Sequence, residues 1–186
     1  MSIRLASGGR FFSASTLGST AEGSGNVVVM VDTARATLLP QALAATVTAE
    51  QALAITGQNP SAEEVAIYSA PHNQMVAAIA INRNAYQSLA EQLGARLVLT
   101  TPLLADSHSD EKCLAVELAE NICYLRLYND GLQTAEALEI ESTDELLFYV
   151  AHILAATSTD AGIPIYIIAP KQYAKALKKY YKVVCE

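Results

Sequence analysis

Among the side chains able to do acid, base or ligand chemistry, one carboxylate is marked by its position. Asp32 directly follows the run VVVMV at 27–31. Strand C-termini collect functional groups in α/β folds, so a carboxylate there is the best lone candidate for a catalytic carboxylate. An Asp that caps the following loop has the same sequence signature. His72, His108 and His152 are far apart, and none stands at metal-ligand spacing from a cysteine. His108 shares the polar stretch 105–112 with Asp106, Ser109 and Asp110. A weak metal site is conceivable there, and a solvated linker is the simpler reading. His152 reads as a boundary residue of a helix. Cys113, Cys123 and Cys185 show no CxxC spacing, which suits reduced thiols. No G-x-S-x-G elbow and no Walker loop are present, and Gly23-Ser24-Gly25 has no lysine to reach a phosphate. On these grounds no catalytic residue and no metal ligand set is assigned.

Composition narrows the classes further. The chain has 186 residues, 52% apolar and 17% charged, with a formal net charge of -7. That length suits one domain or two small halves. The apolar fraction is too high for intrinsic disorder. The acidic balance argues against a nucleic-acid binder, which needs a basic stripe to release counterions. No apolar stretch reaches the ~20 residues needed to span a bilayer. Arg4 and Arg10 interrupt the N-terminus, which does not read as a secretory signal. A cytoplasmic protein is expected. Five of the six lysines lie in the last sixteen residues, and the solvated face of a C-terminal helix explains them.

The elements that must position these residues follow from periodicity and turn chemistry. A hairpin is predicted over 3–16, with Ser7-Gly8-Gly9-Arg10 as its turn. The sequence then predicts a flexible loop at 18–26, a buried strand at 27–31 and a loop to Pro40. A helix at 48–56 opens on a Thr48/Gln51 capping box and closes at Gly57. A second hairpin joins 65–70 to 75–82. A helix at 84–93 turns Tyr86, Leu89, Ala90 and Leu93 to one face, and a strand follows at 96–100. The polar stretch 105–112 is the best boundary, giving halves at 1–106 and 111–186.

The second half predicts strands at 113–118, 122–128 and 132–140, with a tight turn at Asn129-Asp130-Gly131. Ser142 and Glu145 open a helix to about 157, whose core face is Leu146, Val150, Ile153, Leu154 and Thr157. A strand buried on both faces is predicted at 164–169, then a helix at 171–181 and a short strand at 183–185. Glu139 and Glu141 read as an exposed edge. Seven of nine tyrosines fall in this half. Tyr124, Arg126 and Tyr128 alternate along one strand and share a face, a candidate partner surface if no helix covers it.

Three strands, helix, strand, helix, strand is the order of a ribonuclease-H-like domain. Two such domains in tandem make the actin-like ATPase fold. The segment 115–131, AVELAENICYLRLYNDG, resembles the second phosphate hairpin of pilus-assembly and cell-division ATPases of that fold. The whole chain is similar to a family of uncharacterised bacterial proteins with this fold. The likeness rests on S-I-R-L-x-S-x-G at 2–9, V-D-T at 31–33, the T-L-L-P stretch at 37–40 and P-L-L at 102–104. The resemblance implies an α/β architecture of mixed sheets in two ribonuclease-H-like halves, trimmed relative to full-length relatives.

The resemblance also implies where a nucleotide site would lie, and there the chain departs from the pattern. Active members carry an acidic residue in each first hairpin, which organises Mg²⁺, and glycine-rich turns that let backbone N–H groups approach phosphates. Here the first acidic position falls on Arg4 and the second on Glu117. A glycine is replaced by Ala119, Glu120 brings negative charge, and a hydroxyl position holds Ile122. The glycine pair expected near adenosine is Ala169-Pro170. The remnants of phosphate loops are Ser7, Gly8 and Gly9 in the first half, and Glu117, Ala119 and Asn121 in the second.

Three functions stay open on this reading. The first is a non-catalytic binding or scaffold protein with a protein or peptide partner and no cofactor. The second is an atypical nucleotide-binding ATPase that takes ATP and Mg²⁺. The third is a stand-alone α/β protein that binds a small molecule or peptide.

Overall fold

The computed structural model describes residues 2–5, 25–105, 108 and 111–186. Ser7, Gly8 and Gly9 lie outside the described residues, as do most of the predicted first hairpin and Asp106, Ser109 and Asp110. The chain divides into two compact units, Met1–Ala105 and Asp106–Glu186.

Among the described residues, the first unit holds two three-stranded sheets. One is parallel, in the order β1 (Ser2–Leu5), β2 (Val27–Val31), β6 (Leu97–Thr100). Its burial alternates along β2: Val27, Val29 and Val31 are buried, while Val28 and Met30 are half-buried. The continuous β-branched run therefore covers one face fully. The other sheet is antiparallel, with β5 (Met75–Asn82) between β3 (Ala36–Pro40) and β4 (Glu64–Tyr68). Strand β3 corrects the expected loop before Pro40. Its Thr37, Leu38 and Leu39 pair with Ala78, Ala77 and Val76. Pro40 ends it at an edge, where a missing N–H costs nothing.

Two helices follow β3. A single turn, α1 (Gln41–Ala44), was not anticipated, and α2 (Ala49–Ile55) carries the predicted capping box. Gln51 N–H donates to Thr48 Oγ1 at 3.2 Å, and Thr48 N–H donates to Gln51 Oε1 at 2.9 Å. Gly57 closes the helix at φ +74, a region that L side chains avoid. Ala49, Ala52 and Leu53 pack on Leu39, Val76, Ala78 and Ala80. Small side chains on both sides let helix and sheet approach closely. Helix α3 (Arg83–Leu93) buries Ala85, Leu89 and Leu93, leaving Tyr86 and Ala90 half-buried. The 4–5 hairpin turns through Asn73 and Gln74, both left-handed.

The second unit is one five-stranded sheet in the order β11-β10-β7-β8-β9. Strands β7 (Cys113–Ala119), β8 (Ile122–Tyr128) and β9 (Leu132–Glu139) form an antiparallel meander. Strands β10 (Ile165–Ile168) and β11 (Val183–Cys185) join β7 in parallel. Gly131, at φ +102, supports the turn between β8 and β9. Helix α4 (Thr143–Ala156) lays Leu146, Val150, Ile153 and Leu154 on Leu114, Val116, Cys123, Leu125 and Leu127. Helix α5 (Lys171–Leu177) adds Ala174 and Leu177 to the same core.

Three details differ from expectation. Thr157 is exposed, because it caps α4 and its hydroxyl donates to Ile153 O at 2.7 Å. Strand β10 is buried on one face, with Ile168 45% exposed. Helix α5 ends at Leu177, and the C-terminal lysines stand in solvent around and beyond it. Strand β9 is one edge of the sheet and ends at Glu139, whereas Glu141 lies beyond the strand. Among the described residues, no helix is long and apolar enough to cross a membrane.

Candidate functional site

The candidate carboxylates sit where the sequence placed them, and each meets an arginine. Strands β1 and β2 run in parallel with Arg4 opposite Met30 and Leu5 opposite Val31. Asp32 N–H then donates to Leu5 O at 2.8 Å, which carries the chain one residue past the strand. This register lets the Arg4 side chain reach forward to Asp32. Arg4 Nε donates to Oδ2 at 2.6 Å and Nη2 donates to Oδ1 at 2.9 Å. The Asp32 side chain is 4% exposed. A carboxylate this buried needs a charged partner, and a two-point guanidinium fork is the strongest available.

The second unit repeats the pairing on its own first strand. Glu117 on β7 and Arg126 on β8 point to the same face, one diagonal step apart. Arg126 Nη2 lies 3.5 Å from Glu117 Oε2, and both residues are buried. A third carboxylate, Glu64 at the start of β4, takes a fork from Arg35 at 2.9 and 3.2 Å and a hydrogen bond from Ser61 N–H at 2.8 Å. Burial pushes this carboxyl up, but the hydrogen bonds from Ser61 and Arg35 outweigh it and hold it below the usual range.

The remaining predicted positions are less concentrated. Ala119 ends β7 half-buried, and Glu120 and Asn121 form the two-residue turn into β8. Glu120 adopts φ +54 without being glycine, and Asn121 O accepts from Ile140 N–H at 2.8 Å. Tyr124, Arg126 and Tyr128 do share a face, but they are 0–2% exposed. They are therefore not an exposed partner surface. Tyr128 packs with Cys113, Ala115 and Tyr166 instead.

Sequence spacing missed one cluster. Ligand atoms of His108, Glu111 and Cys113 all lie within 4.8 Å of one another. Four residues separate the histidine from the cysteine, which is no standard motif. The start of β7 brings Cys113 up to the loop, and only the folded chain shows it.

The DUF3822 family, described as protein of unknown function, matches residues 13–180. The chain belongs to this family. A Bacteroides thetaiotaomicron protein with actin-like ATPase fold and unknown function superposes with a TM-score of 0.75 at 13% identity, over 100% of this chain and 90% of that one. The DUF3822 chain thus has the actin-like ATPase fold, a mixed α/β architecture of several sheets. More distant likenesses are the cytoplasmic domain of EpsL from the Vibrio cholerae type II secretion system and the AlfA filament bound to AMPPNP. EpsL gives a TM-score of 0.46 at 14% identity over 91% of this chain and 81% of that one. AlfA gives 0.44 at 13% identity over 91% and 55%. No curated protein matches the sequence.

Proposed function

We propose that this DUF3822 protein works by binding, as a scaffold or adaptor on two ribonuclease-H-like halves, without nucleotide turnover. One observation carries the reading: Arg4, at the first expected acidic position, binds the candidate carboxylate Asp32, and Glu117, at the second, lies against Arg126. Asp32 gives both oxygens to Arg4, and Glu117 is buried beside Arg126. A guanidinium beside a carboxylate repels Mg²⁺ and occupies the lone pairs that would hold its waters. Glu120 adds a negative charge at the turn where a phosphate would approach.

A protein partner needs an exposed apolar surface, and the second unit has one. Leu147, Phe148, Ala151, Tyr180 and Tyr181 line a groove of about 520 Å³, with Asp144 among them. Phe148 and Tyr180 are 64% and 69% exposed. The C-terminal lysines stand in the same part of the chain, so a peptide with apolar anchors and acidic flanks is the partner chemistry that fits.

Isothermal titration calorimetry with MgATP tests the central reading. No heat of binding is expected at micromolar protein and ligand. Micromolar affinity for MgATP would overturn the proposal in favour of an atypical nucleotide site.

A further inference from the structure

We propose that His108, Glu111 and Cys113 form a binding site for a borderline divalent cation of the zinc class. The three donors come from two elements. His108 and Glu111 belong to the segment before β7, and Cys113 is the first residue of that strand. Imidazole, carboxylate and thiolate together form a mixed nitrogen, oxygen and sulfur set. Such a set suits zinc or cobalt, whereas magnesium and calcium call for oxygen alone.

The distances fit. Bonds of about 2.0–2.3 Å in a tetrahedral site place donors about 3.3–3.8 Å apart. His108 Nδ1 lies 4.0 Å from Glu111 Oε1, and all three donor atoms fall within 4.8 Å of one another. The donor atoms must close by up to about 1 Å, a movement within reach of a side-chain rotation at the half-exposed Glu111. Three protein donors leave a fourth position for water.

The surrounding groups are those that a metal-bound histidine requires. The other ring nitrogen, Nε2, is buried and lies 3.1 Å from Glu186 Oε1, where a small turn of the carboxylate completes a hydrogen bond. A histidine ligand commonly gives its second N–H to a carboxylate, which fixes the tautomer and aims the free nitrogen at the metal. Glu186 is itself anchored, because its N–H donates to Ile167 O at 3.1 Å. The imidazole stacks on Tyr166 with ring centres 4.1 Å apart and 15° between planes. The nearby Glu111 carboxylate raises the pKa of the Tyr166 hydroxyl. The histidine side chain is only 8% exposed, so its rotamer is set by packing. These contacts hold the donors in one place before any ion arrives, and that lowers the cost of binding. All of these residues belong to the second unit, so the site is complete within it.

Cobalt is the probe that reads both geometry and sulfur ligation. Full-length protein, reduced and freed of metal with a chelator, is titrated with Co²⁺. The expected result is a near-ultraviolet thiolate-to-cobalt charge-transfer band and visible tetrahedral bands, both saturating at one equivalent. Zn²⁺ displaces the cobalt and Mg²⁺ does not. Cys113→Ser removes the charge-transfer band, and Cys185→Ser keeps it, which separates the buried thiol from the exposed one. His108→Gln abolishes stoichiometric binding, while Glu186→Gln weakens it about 10–100-fold. Zn²⁺ also raises the thermal midpoint of the wild type and leaves that of His108→Gln unmoved. This arm holds even if Cys113→Ser fails to fold. The proposal is overturned if no charge-transfer band forms, if the band survives in Cys113→Ser, if it disappears in Cys185→Ser, or if Zn²⁺ shifts wild type and His108→Gln equally.

Discussion

Arg4 grips Asp32 at two points across neighbouring parallel strands, with Nε to Oδ2 at 2.6 Å and Nη2 to Oδ1 at 2.9 Å. The Asp32 side chain is 4% exposed and that of Arg4 35%. The carboxylate is therefore the member that depends on the pair. Arg4→Ala is expected to lower stability by about 1–3 kcal/mol, because it leaves a buried acceptor short of its donor. Arg4→Lys keeps the charge without the planar fork and recovers only part of the loss. Urea unfolding midpoints measure both, and an unchanged midpoint in Arg4→Ala would show that Asp32 does not rely on Arg4.

The Arg126–Glu117 pair differs in that its arginine is buried too, with side-chain exposures of 2% and 12%. Removing one member strands the other charge. Arg126→Met alone is expected to cost about 3–5 kcal/mol. Adding Glu117→Leu removes the stranded charge and returns most of that loss. A double variant as unstable as the single one would count against charge pairing as the reason.

Glu64 makes stability depend on acid. Its folded-state pKa is lowered from the ordinary 4.5, as Ser61 and Arg35 outweigh the opposing effect of burial. A depressed carboxyl contributes stability that is fully present above the unfolded-state pKa and is lost as pH falls through the folded-state value. Wild type and Glu64→Gln should therefore converge in stability as pH drops below 4.5. Parallel curves in a urea series across that range would exclude this role.

The thiols divide by burial. Cys123 is pushed up to about 12 by burial, and Cys113 is pushed up to about 11 by burial and the nearby Glu111 and Glu186 carboxylates. Cys185 alone is exposed. A thiolate reagent at neutral pH should label one site in the folded protein and three in urea. Cys185→Ser should remove the native-state labelling, and labelling that survives it would contradict the burial of the other two.

The groove residue Phe148 is large, apolar and 64% exposed, whereas Leu125 is fully buried. Phe148→Ser should change stability by no more than about 0.5 kcal/mol. Leu125→Ala should cost about 2–5 kcal/mol. Equal losses, read from denaturant midpoints, would mean that Phe148 is part of the core and not of a binding surface.

Much of this was readable from local sequence. The Thr48/Gln51 box, the Asn129–Gly131 turn and the α4 face each depend on residues a few positions apart. Strand β3 was not readable, because ATLLP lacks alternation and becomes a strand only through pairing with β5. The burial of Tyr124, Arg126 and Tyr128 was not readable for a related reason. Alternation tells which residues share a face, while burial of that face depends on what the rest of the chain lays over it.

Residue type and spacing by themselves determined the acidic, apolar character, most of the elements and the positions of Asp32 and Glu117. These are properties of neighbouring residues along the chain. Tertiary structure decided which groups meet. Arg4 and Asp32 are 28 positions apart, and parallel pairing of β1 with β2 joins them. His108 and Glu186 stand near opposite ends of the second unit in sequence, and the order β7-β10-β11 brings them to 3.1 Å. Electrostatic and ligand chemistry acts over a few ångströms of space, so only the folded register could assign these carboxylates their partners.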